Sequence, residues 1–101
     1  MGNKLDRLTK NFILTKLHES IKTILSFLNE KNNIDDKLYE TYLDYIQSII
    51  DILIKDYVND EYKMLLKNIE LINQQKVPNH SKLLAICGKL INLGMTIIDN
   101  Y

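Results

Sequence analysis

The sequence predicts an all-α protein, a single domain folded as an antiparallel up-down-up-down four-helix bundle. Three observations lead there. Apolar residues recur at steps of three and four in four separate stretches, the spacing that gathers them on one face of a helix. Short polar connections divide those stretches, with no alternating strand pattern and no internal repeat. The chain has 101 residues, within the range of one domain and too few for two. The expected helices cover residues 4–28, 36–57, 60–74 and 80–99.

In the first helix Leu14, Leu17, Ile21, Ile24 and Leu28 make the apolar face, and Leu5, Leu8 and Phe12 extend it towards the start. Asn29, Lys31, Asn32 and Asn33 end it. Asp35 or Asp36 suits the cap of the second helix, because a short carboxylate accepts the free N–H groups of the first turn. Tyr39, Tyr42, Ile46, Ile49 and Leu53 form its face. Leu38, Tyr45, Ile50, Ile52 and Ile54 widen the apolar arc so far that a central position is expected.

Asn59 or Asp60 restarts the chain, and Glu61 is favourable near a helix N-terminus. Tyr62, Leu65, Leu66, Ile69 and Ile72 line the third helix. Val77-Pro78 marks the next boundary, since the residue before proline avoids the α region. Asn79 or Ser81 could then cap the fourth helix. Its face is Leu83, Ile86 or Cys87, Leu90, Ile97 and Ile98, with Leu84, Ile91 and Met95 alongside. Gly88 and Gly94 lie inside this helix, where each costs about 1 kcal/mol relative to alanine. They read first as points where another helix approaches closely, and second as a soft spot that lets the helix bend.

Composition narrows the function. Thirteen cationic and thirteen anionic side chains cancel, so no global field attracts nucleic acid. Every cation but Arg7 is lysine, which lacks the bidentate fork suited to bases and phosphates. The acids gather between Asn32 and Tyr62, and the flanking stretches are net basic, an arrangement that would favour one helix order. Cys87 has no partner within the chain, which favours a reducing compartment. No secretory segment is expected, and no apolar stretch approaches the ~20 residues of a membrane span. Met1-Gly2 begins like a myristoylation signal, but Asp6 stands where serine or threonine is needed.

No catalytic centre is expected, and no metal or cofactor. His18 and His80 are the only imidazoles, and with Cys87 they do not reach a zinc-ligand spacing. Cys87 lies in an apolar helix and reads as a buried, inert thiol. Histidine phosphotransfer needs an exposed histidine on a bundle helix, followed by lysine and glycine. Neither Ser81-Lys82-Leu83-Leu84 after His80 nor Glu19-Ser20-Ile21-Lys22 after His18 supplies that pattern. The tyrosines read as core or core-edge packing, because three of them share the most acidic helix, where phosphates would be repelled.

Leu17-His18-Glu19-Ser20-Ile21, Leu25 and Asn33-Ile34-Asp35-Asp36 lead into the second helix. Leu65-Leu66, Ile69 and Val77-Pro78-Asn79 follow, and then Leu83-Leu84-Ala85-Ile86-Cys87-Gly88-Lys89-Leu90. Together they resemble the pediocin-type (class IIa) bacteriocin immunity proteins over most of the chain. The resemblance implies a four-helix bundle in the cytoplasm of a Gram-positive producer, peripheral at the inner face of the membrane. Its partner would be the mannose-phosphotransferase membrane components with bacteriocin engaged, whose pore it keeps shut. Specificity in the family resides largely in the C-terminal half. Carried over, that implies Lys82, Lys89, Asn92, Thr96, Asp99, Asn100 and Tyr101 as recognition residues. Two further expectations stand beside it: a small helical regulator binding a cytosolic protein, and the phosphotransfer domain considered above.

Overall fold

A computed structural model describes residues 5–101. Lys4, the first residue of the expected first helix, and Met1-Gly2 lie outside the described residues. Asp6 accepts the Thr9 N–H at 2.8 Å and so caps α1 (Arg7–Glu30). Asp35 does the same for α2 (Asp36–Leu53), accepting the Leu38 N–H at 2.8 Å. The other two helices start without a side-chain cap. Val58 precedes α3 (Asn59–Asn73) and Pro78 precedes α4 (Asn79–Asn100). The expected caps are used elsewhere: Asn59 is the first helical residue and donates back to the Lys55 carbonyl at 3.3 Å. Asn79 reaches across to the α1–α2 link.

The four helices form an all-α, up-down-up-down bundle, and no strand occurs among the described residues. α2 stops at Leu53, short of the expected residue 57. There the chain turns, and Ile54 and Val58 enter the core in place of another helical turn. Ile13, Ile24, Ile50, Leu83, Ile86 and Ile97 are fully buried and make the bundle's centre. Phe27 of α1 stacks on Tyr42 of α2 with ring centroids 5.1 Å apart.

The central helix is α4. It packs broadly on α1 and α3 and also touches α2, whereas α2 and α3 hardly meet. The wide apolar arc of α2 therefore does not make it central. Ile52 on that arc is 74% exposed and Tyr45 also faces solvent, because α2 has substantial contact only with α1 and an edge of α4. At the start of α1, Leu8 is 82% exposed and Phe12 is also outside, with Ile13 buried in their stead. On α4, Ile98 faces outward, and Leu93 joins Leu83, Ile86, Cys87, Leu90 and Ile97 in the core.

The two glycines of α4 differ. A Cβ at Gly94 would lie 3.6 Å from Leu17 Cδ2, so α1 does pass close by there. At Gly88 nothing lies within 4 Å, and the expected close approach is missing. Polar ties fix the ends of the bundle. Lys10 Nζ donates to the Ile98 carbonyl at 2.9 Å, joining the start of α1 to the end of α4. Tyr62 of α3 donates to the Asp51 carboxylate of α2 at 2.7 Å. Asn79 Nδ2 donates to the Ile34 carbonyl and to Asp36, each at 2.9 Å. Among the described residues the only ion pair is Lys16–Glu19, at 3.6 Å within α1. The segregation of acids from bases thus makes no ion pair between helices, and helix order rests on apolar packing and these neutral or singly charged hydrogen bonds.

Candidate partner-recognition face

Lys89, Asn92 and Thr96 follow one another at steps of three and four, so they share a face of α4. That face looks towards α3, where Glu61, Met64, Leu65 and Asn68 obey the same spacing. Between them lies a groove of about 150 Å³ floored by the buried Leu65 and Leu93. The Thr96 hydroxyl donates to the Asn92 carbonyl at 3.0 Å, which leaves its oxygen to accept a bond from outside.

Glu61, on the groove, is held by Tyr101, whose hydroxyl donates to Glu61 Oε2 at 2.5 Å. The carboxylate stabilises the protonated phenol and pushes its pKa up to about 12. Tyr101 is therefore committed to α3. Lys82 stands apart from the groove, its ammonium 5.4 Å from the centroid of the Tyr39 ring on α2. Asp99 and Asn100 are exposed in the last turn of α4. Of the seven residues implied by the resemblance, the structure gathers Lys89, Asn92 and Thr96 and adds Tyr101 through Glu61. The α3 residues Glu61, Met64 and Asn68 were not expected, although their spacing already places them on one helix face.

The groove offers one ammonium, one carboxylate, two amides and a hydroxyl above an apolar floor. Such a set can bind peptide groups and side chains of a protein surface. Elsewhere, among the described residues, no three His, Cys, Asp or Glu side chains come together as a metal site. Cys87 is buried, and desolvation pushes its thiol up to about 11, so it is protonated and sheltered. His80 bonds through Nε2 to the Leu28 carbonyl at 2.9 Å, a geometry in which the ring donates and ties α4 to the end of α1. His18 is exposed beside the seam between α1 and α4. The Tyr39 hydroxyl is buried with no hydrogen-bond partner among the described residues, and desolvation raises its pKa.

Two apolar grooves flank α1. One, of about 450 Å³, runs between α1 and α2 and includes Phe12, Tyr45, Ile49 and Ile52. The other, of about 200 Å³, runs between α1 and α4 and includes Leu14, Ile91, Met95 and Ile98. By length and composition alone α4 is also apolar enough to cross a membrane, contrary to the expectation from sequence. Its most apolar face is spent on the bundle core. Comparison with known proteins finds no matching family model, no matching curated protein and no matching solved structure.

Proposed function

We propose that this chain is a non-enzymatic binding protein of the bacteriocin-immunity type, acting in the cytoplasm and peripherally at the inner face of the membrane. It would protect its host by engaging the permease components to which a pediocin-like peptide has bound. The observation that carries the reading is the convergence of Lys89, Asn92 and Thr96 with Glu61 and Asn68 on one polar-rimmed groove. Those α4 residues belong to the segment that the family resemblance marks for recognition. The groove supplies donors and acceptors to a protein surface and positions no nucleophile beside a base.

Survival of a sensitive Gram-positive strain expressing the chain, challenged with a panel of class IIa peptides, tests this. Selective protection against one or a few peptides is expected, lost in a folded Lys89→Glu, Asn92→Ala double variant. Absence of protection across the panel from a folded, abundant protein would overturn it. A second reading, a small regulator of a cytosolic protein, draws on the larger apolar groove between α1 and α2, with Phe12 and Ile52 at its surface. Recovery of a soluble cytosolic partner that is lost on Ile52→Lys would favour that reading.

A further inference from the structure

Every helix end but one is tied to another element by a side-chain hydrogen bond. Lys10 joins the start of α1 to the Ile98 carbonyl near the end of α4, and His80 joins the start of α4 to the Leu28 carbonyl near the end of α1. Asn79 of α4 holds Asp36 at the start of α2, and Tyr62 of α3 holds Asp51 near the end of α2. The start of α3 is held twice, by Tyr62 and by the bond from Tyr101 to Glu61. The end of α3 has nothing equivalent. Among the described residues, no side-chain hydrogen bond or ion pair reaches residues 63–78.

Apolar packing holds this end lightly too. Leu65, Ile69 and Ile72 are the only buried side chains of α3, fewer than on any other helix, and only the last two lie in its second half. α4 is the one helix on which α3 packs broadly. Leu71 is exposed, and residues 73–78 all face solvent before α4 begins. The start of α3 differs here as well, since Ile54 and Val58, which lead into it, are buried in the core.

We propose that α3 is a flap hinged at its start: residues 66–73 undock from α4 while the Tyr62–Asp51 and Tyr101–Glu61 bonds hold the first turn in place. So short a piece of helix has little stability without tertiary contacts, so the undocked half melts. Opening lifts Ile69 and Ile72 off α4 and prolongs the groove between the two helices beyond Asn68 and Lys89, which line it in the closed bundle. All helix termini share a tendency to fray. The end of α3 is set apart by the missing tie, so it should open more readily than the tied end of α1. The flap does not depend on the function proposed above and would stand if the chain protected against no peptide.

Native-state hydrogen exchange of the full chain, resolved by residue with NMR, reads the opening directly. After correction for intrinsic rates, the amides of residues 66–73 should exchange about tenfold faster than those in the last two turns of α1. They should also exchange faster than those of residues 62–65, which lie on the tied side of the hinge. A Tyr62→Phe, Tyr101→Phe double variant removes both ties and should bring residues 62–65 to the rate of the second half. Alkylation gives a second readout, of side-chain exposure: Ile72→Cys should react several-fold faster than Leu65→Cys, each in a chain folded by circular dichroism. Equal protection of residues 66–73 and the end of α1, or uniform exchange along α3 in the native chain, would overturn the flap. So would a double variant in which residues 62–65 stay as protected as before, or alkylation no faster at residue 72 than at residue 65.

Discussion

Replacing Gly88 by alanine should make the monomer more stable. A glycine inside a helix costs about 1 kcal/mol relative to alanine, mostly through the backbone freedom it has in the unfolded chain. Beyond its own helix backbone and chain neighbours the new methyl group would meet no atom within 4 Å, and no glycine among the described residues adopts a positive φ that a side chain would strain. Neither a clash nor strain offsets the gain, so about 0.5–1 kcal/mol should survive. In a domain of this size that corresponds to a rise in Tm of about 2–8 °C. Thermal melts by far-UV circular dichroism give the comparison. Gly94→Ala is the control, because its methyl would touch Leu17 Cδ2 at an ordinary 3.6 Å and should gain a similar amount. A fall in Tm for Gly88→Ala alone would refute the reasoning, since it would require a neighbour or a distortion at residue 88.

Other outcomes follow from the caps and the titrating groups. Asp35→Ala removes the acceptor of the Leu38 N–H and should cost about 1 kcal/mol in denaturant titrations. Asn59→Ala, which removes no cap bond, should cost less than about 0.5 kcal/mol, and equal losses would contradict the assigned helix starts. The Cys87 thiol, raised to about 11 by burial, should react with Ellman's reagent only as fast as the protein opens. Prompt reaction in native buffer would contradict its burial. Tyr101 has its pKa raised from 10.0 to about 12 by the bond to Glu61, so folding favours the protonated phenol. That contribution is complete below pH 10 and disappears as pH rises through 12. The stability difference between the native chain and Tyr101→Phe should therefore shrink across this window, and a constant difference would count against the bond.

Much of the fold was legible because its signals are local. Asp35 as a cap, Pro78 as a boundary and the buried rows Tyr39-Tyr42-Ile46 and Leu65-Ile69-Ile72 need only the residues a few places away. The errors have a common origin. Phe12 and Ile52 continue apolar patterns that look like core, but α2 ends at Leu53, and the two line an open groove between α1 and α2. Ile98, expected on the buried face, lies outside, and Leu93, which was not singled out, is buried, because periodicity defines a stripe without saying which of its edges faces a neighbouring helix. At the candidate site, Lys89, Asn92 and Thr96 could be placed on one face from spacing. Their apposition to Glu61 and Asn68 could not, since it depends on how α3 leans on α4.

The sequence by itself determined that this protein has four helices, roughly where they begin and end, and that its one thiol lies in an apolar helix. Capping and periodicity are short-range properties, carried by residues within about one helical turn. Only the tertiary structure decided that α4 sits at the centre, that Gly94 meets Leu17 while Gly88 meets nothing, and that Tyr101 is bound to Glu61. These are relations between residues distant along the chain. An apolar side chain carries the same local signal whether it faces its own core, open solvent or a second molecule.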